Sequence, residues 1–92
     1  MKGRVNKTLL AKLTAADRGS YFCWDTELTG FGVRITSNGI KTFVLKVTVN
    51  GKRPLQKIGI YPGVSVEVAR SEAKRRIGVI ASGGNPIADK IR

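Results

Sequence analysis

Two stretches of the chain alternate between apolar and polar residues. Phe31, Val33 and Ile35 fall on one parity, with Gly32, Arg34 and Thr36 on the other. From Ile40 to Val49, Phe43, Leu45, Val47 and Val49 share a parity, opposed by Thr42, Val44, Lys46 and Thr48. Turn length decides how these two strands pair. A two-residue Asn38-Gly39 turn would set Ile35 on the face of Thr42. A three-residue Ser37-Asn38-Gly39 turn pairs 33 with 43 and 34 with 42, which keeps each face uniform and gives Gly39 the left-handed position of a bulge. Asn50-Gly51 is the strongest two-residue hairpin signal. It pairs 49 with 52, 48 with 53, 46 with 55 and 44 with 57 along a strand from Lys52 to Ile60. Pro54 marks that strand as an edge, and Gln56 is a misfit on its apolar face that needs a partner. Tyr21 to Trp24 reads as a strand preceding these three, with Asp25 to Gly30 as a loop.

The period then changes. After the Tyr61-Pro62-Gly63 break, Ser65 suits an N-cap and Glu67 the first turn of a helix. Val66, Ala69, Ala73, Ile77 and Ile80 form one stripe, and Gly83-Gly84 followed by Asn85-Pro86 ends the helix. The stripe is expected to cover the face carrying Phe31, Val33, Phe43, Leu45 and Val47. The predicted fold is α+β: a small three- to four-stranded antiparallel β-sheet packed on one face by a C-terminal α-helix. Residues 1–19 read as a basic N-terminal arm, partly flexible, in which Leu9, Leu10 and Leu13 make a short helical turn. Residues 20–84 form the domain, and 85–92 begin a linker.

Charge adds a direction to this picture. Seventeen Lys and Arg against six Asp and Glu give the 92 residues a net charge of +11. No acidic residue lies between Glu27 and Glu67, a stretch that holds Arg34, Lys41, Lys46, Lys52, Arg53 and Lys57. The turn lengths sort Arg34, Thr36, Thr42, Lys46, Thr48, Arg53 and Lys57 onto the face the helix leaves open. Lys41 and Lys52 sit at hairpin tips on the other parity, with stems long enough to reach a phosphate. A solvated sheet face usually mixes both charge signs, whereas this one carries cations and no acid, as a polyanion-binding surface would. Arg34 and Arg53 suit guanine edges; Lys46 and Lys57 suit phosphates. Arg70, Lys74, Arg75 and Arg76 read chiefly as a solvated helix face. Tyr21, Phe22 and Trp24 are expected to fill the core, so the open face lacks aromatics, which disfavours single-stranded ligands.

Other chemistry is largely excluded. There is no histidine and one cysteine, Cys23, so Ser-His-Asp, Cys-His and thiolate zinc sites have no residues to use. The scattered carboxylates suggest no acid/base pair. No catalysis and no cofactor are expected. The lone cysteine and the absence of a signal peptide suit the cytoplasm, and no apolar run is long enough for a membrane span.

Several blocks together resemble a known family. "YFCWDTELTGFGVRITSNGIKTFVLKVTVNGKR", "KIGIYPGVSVEVARSEAKRRI" and "GGNP" are similar to the N-terminal arm-type DNA-binding domain of phage and genomic-island tyrosine recombinases, the P4-like integrases, from about Tyr21 to Asp89. The resemblance rests on Leu28-Thr29-Gly30-Phe31-Gly32-Val33-Arg34 after Asp25, on Gly39-x-Lys41-x-Phe43, on Gly59-x-Tyr61-Pro62 and on Ala69-Arg70. It implies a sheet that enters the major groove of arm-type repeats in attachment-site DNA, with catalytic domains lying elsewhere in a longer integrase. On this reading the chain is an excised domain or a truncated gene. The resemblance further implies partners in double-stranded DNA, other integrase protomers and accessory DNA-bending proteins, and a structural pairing of Arg70 with Asp25. The sequence departs from the family at Pro54-Leu55-Gln56-Lys57, where an apolar residue is usual in place of Gln56. Two other readings use the same residues: an RNA-binding or ribosome-associated module, and a protein-interaction module of a recombination complex.

Overall fold

The computed structural model describes residues 2–49 and 51–81. In chain order the elements are β1 (Lys2–Gly3), α1 (Lys7–Lys12), β2 (Ser20–Asp25), β3 (Phe31–Thr36), β4 (Lys41–Lys46), β5 (Leu55–Tyr61) and α2 (Val66–Ala81). The strands form one sheet in the order β1-β2-β3-β4-β5, with β1 parallel to β2 and every other pair antiparallel. The fold is α+β, with one strand more than the three or four expected. The extra strand is β1, which is too short to show any alternation in sequence.

A three-residue turn sets the ladder between β3 and β4. Val33 pairs with Phe43 and Arg34 with Thr42. Thr36 N–H donates to the Ile40 carbonyl across the turn, and Gly39 takes φ +80°, a conformation that costs a residue with a Cβ. Val44 pairs with Lys57, Leu45 with Gln56 and Lys46 with Leu55, as the Asn50-Gly51 signal required. Asn50 itself lies outside the described residues, and Val49 bridges to Lys52 beside it. The register then shifts between Phe43 and Val44, so that Phe43 faces Gly59 and Thr42 faces Ile60. The expected pairing of Thr48 with Arg53 is not made, because β4 ends at Lys46 and β5 starts only after Pro54. The strand that Pro54 precedes is an edge, as a residue without an N–H donor favours.

One face of the sheet is buried. Phe31, Val33, Ile35, Phe43 and Leu45 are fully covered and pack with Val66, Ala69 and Ala73 of α2. Burying a ring such as Phe31 or Phe43 contributes on the order of 2–3 kcal/mol. Ile77 packs on the rim of this core. Ser65 caps α2 as expected, its Oγ accepting from the Val68 N–H. The end of the helix at Gly83-Gly84 lies outside the described residues.

The N-terminal segment corrects the expectation of an arm. The short helix α1 is present, capped by Asn6, whose side chain accepts from the Leu9 N–H. Around it Val5, Leu10 and Leu13 are buried in the same core as the sheet, against the side of β2 that carries Cys23. Arg76 is also corrected. It is buried rather than solvated, with Nε donating to Glu72 Oε2 at 2.7 Å and Nη1 to Gln56 Oε1 at 3.3 Å. The misfit amide of Gln56 thus has its partner on α2, while its Nε2 meets no acceptor among the described residues.

Candidate nucleic-acid interface

Cross-strand partners point to the same side of a sheet, so the register defines the uncovered face row by row. One row runs Phe22, Arg34, Thr42, Ile60; the next runs Trp24, Gly32, Val44, Lys57; Lys46 and Leu55 pair beyond it. Ser20 and Thr36 close the opposite end. No carboxylate stands in any of these rows. Arg34 is exposed, and its Nε donates to Ser20 Oγ at 3.1 Å, a bond that leaves both terminal nitrogens unused by it. Lys46 and Lys57 are exposed on the same side.

Of the remaining predicted residues, Thr42 is half-buried between Arg34 and Ile60. Thr36 is partly occupied, its Oγ1 accepting from the Ile40 N–H. Thr48 and Arg53 are exposed but stand in the loop segments beyond the ladder. Lys41 pairs with Ile35 and Tyr61, and Lys52 with Val49, so neither joins the open face.

The expectation that this face lacks aromatics is overturned. Phe22 and Trp24 both lie on it, half-buried, with ring centroids 5.3 Å apart and planes within 3°. Alternation along β2 permits this, since Tyr21, Cys23 and Asp25 take the core side. Gly32 completes the arrangement: a Cβ there would stand 2.7 Å from Trp24 Cε3 and 2.8 Å from the Cys23 carbonyl oxygen. Val44, in the same row, is only 3% exposed although it lies on the face away from α2. A glycine in mid-strand facing the cations is the sequence signal that could have located the indole.

Beneath this face the sheet is tied to α2 by charge. Asp25 Oδ2 accepts from Arg70 Nη1 at 2.8 Å and from the Leu28 N–H at 2.6 Å; Oδ1 accepts from the Val5 N–H at 2.9 Å and from Arg70 Nη2 at 3.2 Å. Burial pushes the Asp25 carboxyl up, but the bonds from Arg70, Val5 and Leu28 outweigh it and hold it below the usual carboxylate range. The guanidinium lies over the Phe31 ring, 5.3 Å from its centroid. The pairing implied by the family resemblance is present.

A family model described as the arm DNA-binding domain matches residues 5–92. The chain belongs to the arm DNA-binding domain family. The match begins within the segment expected to be an arm, consistent with Val5 and Leu10 in the core. Among curated proteins, none matches the chain. A DNA-binding domain suits a face whose charged side chains, among the described residues, are all cations. Among the described residues no helix is long and apolar enough to cross a membrane.

Proposed function

We propose that this arm DNA-binding domain reads arm-type sites of attachment DNA sequence-selectively, as the non-catalytic N-terminal part of a site-specific integrase. The open face of the sheet enters the major groove, which is about 12 Å wide and admits β-strands. The observation that carries this reading is Arg34. It is central on the open face and held by Ser20 through Nε, leaving two terminal nitrogens in the fork that matches guanine O6 and N7. Thr42 and Thr36 flank it with hydroxyls for base edges or phosphates. Lys46, Lys57 and Arg53 neutralise the backbone on either side, and Lys41 and Lys52 contribute at most from the hairpin tips.

Fluorescence anisotropy with labelled duplexes at several salt concentrations tests the proposal. Affinity should fall with salt by a log–log slope of about −0.9 per phosphate neutralised, and a flat response would sink it. Arg34→Ala should lose about 1–3 kcal/mol on the preferred sequence and relax base preference at one position, while Lys57→Ala should weaken every duplex alike. A second reading has the stacked Phe22 and Trp24 in its favour. Aromatics on a basic face are the equipment of single-strand binders, and single-stranded DNA or RNA displacing the duplex as well as duplex competitor does would favour it.

A further inference from the structure

Beyond the Trp24 end of the open face the surface turns concave. A cleft of about 250 Å³ is lined by Lys2, Trp24, Asp25, Thr26, Thr29, Gly30, Lys46 and Arg53. Its three cations come from β1, from the end of β4 and from the loop before β5, the first of them more than forty residues from the other two. Only the parallel pairing of Lys2 with Trp24 brings the first of them here. Thr26 and Thr29 add two hydroxyl donors from the β2–β3 loop. The one carboxylate in the wall, Asp25, is already matched by both terminal nitrogens of Arg70 and by two backbone N–H groups. The cleft is therefore a concave set of donors and cations with an indole on one side.

We propose that this cleft seats a single phosphate diester of the bound DNA backbone, with Trp24 against the adjoining deoxyribose. Lys2, Lys46 and Arg53 neutralise the phosphate, and the Thr26 and Thr29 hydroxyls donate to its free oxygens. One seated phosphate fixes how far the sheet slides along the groove, so the site sets register where Arg34 reads sequence. The inference rests on the proposed function only in that a duplex crosses the sheet.

The test uses Trp24, the one tryptophan of the chain, as its probe. Duplexes carrying one uncharged methylphosphonate linkage, moved position by position, are titrated against the protein and against Lys2→Ala. At one linkage the neutral substitution should remove the Trp24 fluorescence change and weaken binding about eightfold at roughly 0.1 M salt, the loss of one counterion-releasing contact. Lys2→Ala should weaken binding of unmodified duplex, lower the salt slope by up to about one, and lose less than the wild type does at that linkage, since Lys46 and Arg53 remain. Lys12→Ala, an exposed cation on α1, should keep the wild-type response. Losses from Lys2→Ala and from the linkage that simply add at every position would overturn the proposal. So would saturation of the Trp24 signal by inorganic phosphate or by deoxyadenosine monophosphate without any loss of duplex binding, since the site would then serve a free phosphate. Coupling at Lys2 with unchanged base preference in Arg34→Ala would retain the cleft and remove the groove-reading role of the sheet.

Discussion

Arg70 on α2 grips Asp25 at the end of β2 with both terminal nitrogens, at 2.8 and 3.2 Å, and one of them also donates to the Val5 carbonyl at 2.7 Å. One guanidinium thus joins the helix, the sheet and the N-terminal segment. The Asp25 side chain is fully buried and that of Arg70 is 18% exposed.

Asp25→Asn should therefore be costly. It leaves a largely covered cation without its counter-charge, and the expected loss is about 3 kcal/mol, at the lower end of the range for a broken buried pair because Arg70 keeps some solvent. Urea unfolding followed by Trp24 fluorescence measures it. A loss under about 1 kcal/mol would show that the pair does not hold the elements together.

Acid should weaken the fold in a defined window. Glu72 is pulled down to about 2, chiefly by its hydrogen bond from Arg75 and against the opposing effect of burial, with Arg76 adding to it; its ordinary value is 4.5. Asp25 is lowered as well. In both cases the unfolded chain takes up protons first, so the contribution is complete above about pH 4.5 and is lost as pH falls toward the folded values. The urea midpoint should be level from about pH 6 to 5 and then drop, with a shallower drop in Glu72→Gln. A midpoint that rises on acidification would contradict this.

Gly32→Ala should disturb the open face rather than the core. The new Cβ meets the indole and a backbone carbonyl at 2.7 and 2.8 Å, and the carbonyl cannot swing aside. A destabilisation of about 1–3 kcal/mol is expected, with a changed near-UV dichroism from the displaced Trp24. An unchanged aromatic signal would mean the ring does not rest on this glycine.

The buried polar group formed by Gln56 and Arg76 should prove dispensable for stability. Gln56→Leu removes an acceptor from Arg76 but also an amide nitrogen that lacks a partner among the described residues, and a net change within about 1 kcal/mol is expected. Replacing both, as Gln56→Leu with Arg76→Met, should stabilise by about 1 kcal/mol or more, because Glu72 retains Arg75. Chemical denaturation of the single and double variants decides this, and a double variant less stable than either single would refute it.

Much of the sheet was legible because turn length and side-chain parity are local. Ser37-Asn38-Gly39 set Arg34 opposite Thr42, and Asn50-Gly51 set Val44 opposite Lys57, both as found. What escaped depended on long-range contacts. Two residues at Lys2–Gly3 carry no period, so β1 was invisible and Val5 and Leu10 read as part of an arm. Tyr21-Phe22-Cys23-Trp24 is apolar at every position, so nothing in it said which rings face the cations. Arg76 looked solvated because a charged residue on a helix usually is, and only Gln56, twenty residues earlier, explains its burial. The shared face of Arg34, Lys46 and Lys57 is legible in the parity of their strands; the gathering of Lys2, Thr26 and Thr29 in one cleft is not.

The guanidinium that spans Asp25 and Val5 also has a meaning in time. Arg70 stands 65 residues beyond Val5. During synthesis the first strand and helix leave the ribosome long before the residue that fastens them exists. The N-terminal segment therefore gains this tie only once α2 has emerged, and a chain cut short before Arg70 would hold its beginning by the pairing with β2 and the shared core alone.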